Sequence, residues 1–261
     1  MSKITKIVDY FYPMKKQSIL FLGSKPIGYA CLQFLIEQSN DLQLDILGIL
    51  SNDNPTFDKS LSIKELAVAN HIPIFETLAD MPKADFICSV QYHEILKKEN
   101  IEQANILAFN LHMAPLPEYR GCNQFSFAIL DDAKEFGCTI HQMDERIDHG
   151  DILFEARFPI PNKCWVNQLY LLTYAASLQL FKSSLAQIVK RNYVAIPQET
   201  YLATRGTSMH YRKEIQTIKN IDLHWDADKM DRHIRATYMP GFEPPYTWIG
   251  DQKIYFSTTW Q

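Results

Sequence analysis

Two polar residues, Asn110 and His112, stand between an apolar run and a proline-rich segment at residues 115–117. Side chains two residues apart on a β-strand point to the same face. This pair would therefore project together from the carboxyl end of a strand, where parallel sheets bind their ligands. It joins a neutral amide donor to a titratable imidazole. A catalytic site and a structural strand end both fit the pattern. The prolines cannot continue the strand or begin a helix, so they predict a fixed loop over the site.

A second polar cluster lies at residues 143–151, between two strand-like runs, and includes Asp144, Asp148 and His149. A solvated turn is the ordinary explanation for such residues. Acidic groups and an imidazole this close together also suit a functional loop. Gly150 predicts a left-handed backbone conformation that would fix the loop.

The segments around these clusters alternate between strand and helix patterns. Apolar runs predict strands at residues 18–22, 42–50, 84–90 and 106–111, with helices at 27–37 and 63–69 between them. Further on, the pattern predicts a helix at 123–131, strands at 136–143 and 152–160, and a long helix at 165–191 with one apolar stripe. Two short strands around a Gly-Asp turn are predicted at 246–256.

This order predicts an α/β fold: a Rossmann-like, mostly parallel sheet with helices on both faces, plus a small carboxyl-terminal subdomain with short β-strands. The predicted domains are an N-terminal extension at residues 1–16, a catalytic domain at 17–191 and the small subdomain at 192–261.

Composition excludes several classes of protein. The 261 residues carry 26 basic and 30 acidic side chains, a net charge of −4, which argues against sequence-independent binding of nucleic acid. The five cysteines form no CxxC pair, and the histidines show neither HExxH nor i, i+4 spacing on a predicted helix, so reduced thiols and no metal site are expected. Without a signal peptide or membrane-spanning run, a cytoplasmic protein with no membrane partner is expected.

Three spaced motifs resemble the N10-formyltetrahydrofolate-dependent formyltransferases, which include glycinamide ribonucleotide, methionyl-tRNA and nucleotide-sugar N-formyltransferases. They are Asn110-x-His112, the Pro-Leu-Pro turn into Arg120-Gly121, and Asp148-x-Gly150. The separation of 38 positions between Asn110 and Asp148 also matches that family. The resemblance extends well over residues 18–160 and more loosely beyond them.

The resemblance implies that a primary amine attacks the formyl carbon of N10-formyltetrahydrofolate and that no metal takes part. Asn110 and His112 would donate hydrogen bonds to the developing oxyanion, and Asp148 would polarise His112 and help to remove the amine proton. The implied cofactor-binding residues are Leu96, Gly121, Cys122, Asn123, Gln124 and Asp144, with the pterin between residues 91–96 and 144–148. The implied substrate-binding residues are Gln91, Tyr92, His93 and Arg120.

Among these enzymes, a nucleotide-sugar N-formyltransferase is the best match, because a short aromatic segment follows the catalytic domain. The expected acceptor is a dTDP-, UDP- or GDP-linked amino-deoxysugar for a bacterial surface glycan such as the lipopolysaccharide O-antigen. The resemblance implies that the carboxyl-terminal segment forms a homodimer interface or part of the nucleotide pocket, and a homodimer is expected. The aromatic residues of this segment equally fit a small core under the last strands. The alternatives are a methionyl-tRNA formyltransferase-like enzyme, which would need a larger carboxyl-terminal barrel, and a non-catalytic Rossmann-like binding module.

Overall fold

The computed structural model describes residues 16–52 and 61–257. Its strands are β1 (Gln17–Gly23), β2 (Leu44–Leu50), β3 (Ala84–Val90), β4 (Ala104–His112), β5 (Tyr119–Gly121), β6 (Glu135–Gln142), β7 (Ile152–Pro159), β8 (Ser208–His210), β9 (Tyr246–Ile249) and β10 (Gln252–Tyr255). Its helices are α1 (Lys25–Gln38), α2 (Ile63–Ala69), α3 (Lys98–Ile101), α4 (Gln124–Leu130), α5 (Val166–Val189), α6 (Glu199–Arg205), α7 (Glu214–Lys219) and α8 (Ala227–Thr237), with a 3₁₀ turn at Leu78–Asp80. The predicted N-terminal extension lies outside the described residues except for Lys16.

The central sheet has six strands in the order β2-β1-β3-β4-β6-β7. The pairs among β1, β2, β3 and β4 are parallel, whereas β6 and β7 join antiparallel to β4 and to each other. The predicted fold class, a mostly parallel sheet with helices and a carboxyl-terminal pair of short strands, is confirmed. The antiparallel pairing of β4 with β6 matters for the site because it places residues of β6 directly opposite the end of β4.

Alternating side chains fill two hydrophobic layers, one on each face of the sheet. In β1, Ile19 and Phe21 enter the larger cluster, packed against α1, α2 and α5, whereas Leu20 and Leu22 enter the smaller one. The smaller cluster is covered by the connections at residues 71–83 and 92–103, which carry only the 3₁₀ turn and α3. This thinner layer leaves the carboxyl ends of the strands accessible from one side of the sheet.

The chain beyond residue 192 packs closely against the sheet and its helices. Ile196 forms a two-way backbone bridge with Ile152, β8 pairs parallel with β5, and α8 packs against α4. β9 and β10 form an antiparallel hairpin joined at Gly250. Within residues 16–52 and 61–257, every helix is too short or too polar to cross a lipid bilayer.

Candidate active site

The site forms where β4 ends beside β6. Asn110 is half-buried and His112 is buried, and both lie on the face of β4 that Ala108 contributes to the smaller hydrophobic cluster. The antiparallel register sets His141 opposite Asn110 and Thr139 opposite His112. Cross-strand neighbours share a face of the sheet, so these four polar side chains converge. The Asn110 amide nitrogen lies 3.2 Å from His141 Nε2.

The loop after β4 is pinned by Thr139. Its buried hydroxyl donates to the Ala114 carbonyl at 2.9 Å and accepts from the Leu116 amide at 3.2 Å. The chain then crosses a cis Leu116–Pro117 bond and returns as β5. The predicted fixed loop is therefore present, and β6 supports it from below.

Asp148 reaches this cluster from the connection between β6 and β7. Its Oδ2 accepts a hydrogen bond from the Gly121 amide at 2.9 Å and lies 3.5 Å from His112 Nδ1. Its Oδ1 lies 3.6 Å from His141 Nε2. The three residues assigned by the resemblance, Asn110, His112 and Asp148, are thus brought together, with His141 as a fourth member.

Hydrogen bonds to backbone carbonyls define the proton positions on both imidazoles. His112 Nε2 lies 2.7 Å from the Tyr119 carbonyl, and His141 Nδ1 lies 2.6 Å from the Gln142 carbonyl. A carbonyl can only accept, so each of these nitrogens carries a hydrogen. The other nitrogen of each ring faces Asp148, and it forms an ion pair with the carboxylate only when the ring is doubly protonated.

The electrostatics favour a charged Asp148. Burial alone would raise the pKa of its carboxyl, but this effect is outweighed by the His112 charge, by the hydrogen bond and charge of His141, and by the Gly121 amide. The pKa of Asp148 is therefore held well below its ordinary value. The carboxylate acts as a fixed negative charge between two imidazoles.

The loop that carries Asp148 has an unusual backbone. Asp148 itself has φ = 48°, in the left-handed region that ordinary residues seldom adopt. The prediction that Gly150 supplies the left-handed conformation is wrong, since Gly150 is absent from the positive-φ residues. Gly150 is needed for space instead: a Cβ there would lie 2.2 Å from the Gln142 carbonyl oxygen. His149 ties the loop together through its Nδ1, which lies 2.6 Å from Asp144 Oδ2.

A cavity of about 150 Å³ opens beside the cluster. One wall comes from the segment after β3 and the other from the loop after β6, and Asn110, His141 and Asp148 line it as well. The lining includes three residues of the predicted binding set, Tyr92, Leu96 and Asp144. The other lining residues are Ser89, Glu94, Ile95, Met143, Glu145, Arg146 and Ile147. Burial, reinforced by Glu94, raises the pKa of Tyr92 to about 12, so its hydroxyl stays neutral.

The other predicted binding residues are not part of the cavity lining. Cys122 donates its amide to the His210 carbonyl, and Asn123 begins α4 and donates its side-chain amide to the Tyr211 carbonyl. Gln124 is buried in the first turn of α4. Gln91 has φ = 53° and accepts from Lys25 Nζ at 2.8 Å.

The two remaining residues of the predicted substrate set point in different directions. His93 lies 3.2 Å from Glu94 on the surface. Arg120 donates from Nε and Nη2 to the Gln198 side-chain oxygen, at 3.2 and 2.8 Å.

The sequence did not point to two residues of this site, His141 and Gln198. The signal for His141 was its place in a strand adjacent to β4, but only the antiparallel register sets it opposite Asn110. No sequence pattern pointed to Gln198. It lies 50 residues beyond Asp148 in an irregular segment, and its side chain contacts the backbone carbonyl of Asp148. Across the described residues, no group of three or more His, Cys, Asp or Glu side chains is arranged to hold a metal ion.

Comparison with known proteins finds similarity to formyltransferases. The formyl transferase family model matches residues 52–180, just under half of the chain. The bifunctional polymyxin resistance protein ArnA of Wigglesworthia glossinidia brevipalpis is 28% identical over 250 residues, which cover 90% of this chain but only 36% of that protein. GDP-perosamine N-formyltransferase of Brucella melitensis is 28% identical over 194 residues, which cover 73% of this chain and 70% of that protein. Methionyl-tRNA formyltransferases are also among the relatives.

The solved structures similar to this chain include WlaRD, a sugar 3N-formyl transferase crystallised in the presence of dTDP and 5-N-formyl-THF. It is 25% identical, covers 91% of this chain and 84% of its own, and superposes with a TM-score of 0.74. Fold, site and sequence match together define a formyl-transferring enzyme. Residues 52–180 match the formyl transferase domain, and the chain is similar to formyltransferases in sequence and in fold.

Proposed function

We propose that this enzyme transfers a formyl group from N10-formyltetrahydrofolate to the amino group of a nucleotide-linked amino-deoxysugar. The observation that carries the proposal is the convergence of Asn110 and Asp148 at the wall of the cavity, with the buried His112 next to Asp148. The similarity to WlaRD and to GDP-perosamine N-formyltransferase supports a sugar nucleotide as the acceptor. The 5-N-formyl-THF in the WlaRD crystals supports a folate as the donor.

The cavity suits the pterin end of a folate. It is a cleft between two loops, with apolar surface from Leu96 and Ile147 and a polar inner end at Asn110 and Asp148. Cofactor sites commonly combine apolar walls with a few polar groups that fix orientation. In this arrangement the formyl group would lie at the polar end, beside Asn110.

The donor supplies an activated formyl group, and the protein has to stabilise the negative charge that develops on the formyl oxygen. Asn110 is suited to this because its amide nitrogen carries two hydrogens, and His141 Nε2 is the partner of only one of them. The second hydrogen can point to the oxyanion. Preorganised donors of this kind are worth about 10²- to 10³-fold in rate.

Asp148 and His112 act as a unit behind Asn110. His112 is buried, its Nε2 is committed to Tyr119, and its Nδ1 faces Asp148, so we assign it to fix the carboxylate. With its depressed pKa, Asp148 is a weak base. Its role in the proposal is to stabilise the positive charge that forms on the attacking amine, while the proton leaves to water or to an imidazole.

The proposal includes a homodimer through the hairpin of β9 and β10. Trp248, Ile249 and Tyr255 on this hairpin are about half exposed, whereas Tyr246 is buried against Lys253. Tyr246 thus packs within the subdomain, whereas Trp248, Ile249 and Tyr255 expose apolar surface that a second copy of the chain could cover.

Turnover of an acceptor panel tests the function. The enzyme would be incubated with N10-formyltetrahydrofolate and dTDP-, UDP- and GDP-linked 3-amino- or 4-amino-deoxysugars, and products read by mass spectrometry for the gain of one formyl group. Initiator methionyl-tRNA and glycinamide ribonucleotide serve as competing acceptors. Formylation of a sugar nucleotide supports the proposal; efficient formylation of the tRNA with every sugar inert would replace it with a methionyl-tRNA formyltransferase-like function.

A further inference from the structure

Gln198 is a fully buried polar side chain that contacts the catalytic loop from the chain beyond α5. None of its surface is exposed to solvent. Its Nε2 donates to the Asp148 carbonyl at 3.0 Å and to the Gly150 carbonyl at 2.8 Å. Its Oε1 accepts both hydrogen bonds from Arg120. Every hydrogen of the amide and its oxygen are used, so the orientation of the side chain is fixed by its partners.

These bonds hold a part of the backbone that is otherwise unfavourable. Asp148 has φ = 48°, and a residue with a Cβ in this conformation persists only where its surroundings enforce it. The neighbouring Gly150 lies so close to the Gln142 carbonyl oxygen that a Cβ would not fit between them. The loop therefore has no room to move toward β6. Gln198 donates hydrogen bonds to the backbone carbonyls of residues 148 and 150, on either side of His149.

We infer that Gln198 is a positioning residue for formyl transfer, one that sets the carboxylate of Asp148 against His112 and couples it to Arg120 on β5. The inference rests on the proposed function for its kinetic prediction. It also makes the segment after residue 192 part of the catalytic apparatus. Small displacements of catalytic groups are expensive, since about 1 Å of misplacement can cost about 10² in rate.

Two substitutions separate positioning from stability. Gln198→Leu removes all four hydrogen bonds. Gln198→Glu is nearly the same size and keeps an acceptor for Arg120, but it turns a carboxylate oxygen toward two carbonyls. Both variants should lower kcat by about 10- to 100-fold with KM changed by less than about threefold. The matched control is Thr173→Val, which removes another fully buried hydrogen bond, from the Thr173 hydroxyl to Leu169 in α5, and should leave kcat unchanged.

A second readout needs neither donor nor acceptor. Carbon-13 NMR titration of the Asp148 carboxyl should show ionisation at a higher pH in Gln198→Leu than in the wild type, because the carboxylate loses its alignment with His112 and His141. If the wild type formylates no acceptor, the proposed function fails and this titration still decides the role of Gln198. Wild-type kcat in either folded variant, an unchanged Asp148 titration, or failure of both variants to fold would overturn the inference.

Discussion

Replacing Asp148 with Asn tests the central electrostatic feature of the site. Asn has the same shape, and its remaining oxygen can still accept the Gly121 amide hydrogen bond that Asp148 accepts at 2.9 Å. The negative charge between His112 and His141 is lost, and an NH₂ group takes the place of the oxygen that lies 3.6 Å from His141 Nε2. We expect kcat to fall by about 10² to 10⁴, as for loss of a general base or charge stabiliser, which corresponds to about 3 to 5 kcal/mol of transition-state stabilisation.

The same variant makes a prediction about stability and pH. The folded pKa of Asp148 lies below its unfolded value, so ionisation of this group stabilises the fold above about pH 4, the ordinary range of an aspartate. That contribution is lost as the pH falls below this value toward the folded pKa. The difference in unfolding free energy between wild type and Asp148→Asn should therefore shrink as the pH falls below about 4.

Denaturant unfolding across this pH range and steady-state kinetics at saturating donor and acceptor measure the two effects. The control is Asp231→Asn, which removes the same charge from an exposed carboxylate that pairs with the largely buried Arg235 on α8. It should retain wild-type kcat. If Asp148→Asn is folded and keeps kcat within about tenfold of the wild type, the carboxylate does not have the role described above.

Three further outcomes follow from the geometry. Asn110→Ala and His112→Asn should each lower kcat by about two orders of magnitude with a much smaller change in donor affinity, and the double variant should lose less than the product of the single losses. Stopped-flow kinetics measure the rate and equilibrium binding measures the donor affinity. Wild-type turnover in either single variant removes that residue from the mechanism. Asp144→Ala, in the cavity lining, should raise KM for the folate more than it lowers kcat, and an unchanged KM would place the folate elsewhere. Trp248→Ser with Ile249→Ser should convert the dimer to a monomer in light scattering, and a wild-type monomer at micromolar concentration would refute the dimer itself.

Much of the fold was predictable because its elements carry strong local signals. The strand at β1 is continuously apolar since both of its faces are buried, and the stripe along α5 recurs at helical spacing. β5 and β8 were not predicted, because three-residue strands leave no periodic pattern. Their pairing is a tertiary event that brings the chain at His210 onto the loop at Gly121.

The candidate site was predictable only in part. Asn110 and His112 are adjacent in one strand, so their common face follows from the period of two residues. Their meeting with His141 depends on antiparallel pairing at the edge of an otherwise parallel sheet, which the sequence does not specify. Gln198 contacts backbone atoms, and backbone atoms carry no sequence signature.

The most direct test of the account is the stoichiometry of one reaction. The enzyme would be mixed with N10-formyltetrahydrofolate and the preferred sugar nucleotide from the panel, and tetrahydrofolate and formylated sugar would be quantified together by mass spectrometry. With the wild type, the two products should form in a one-to-one ratio, and with Asp148→Asn the rate of formation of both should fall by about 10² to 10⁴. Release of tetrahydrofolate without formylated sugar, or formation of both at the wild-type rate by Asp148→Asn, would contradict it.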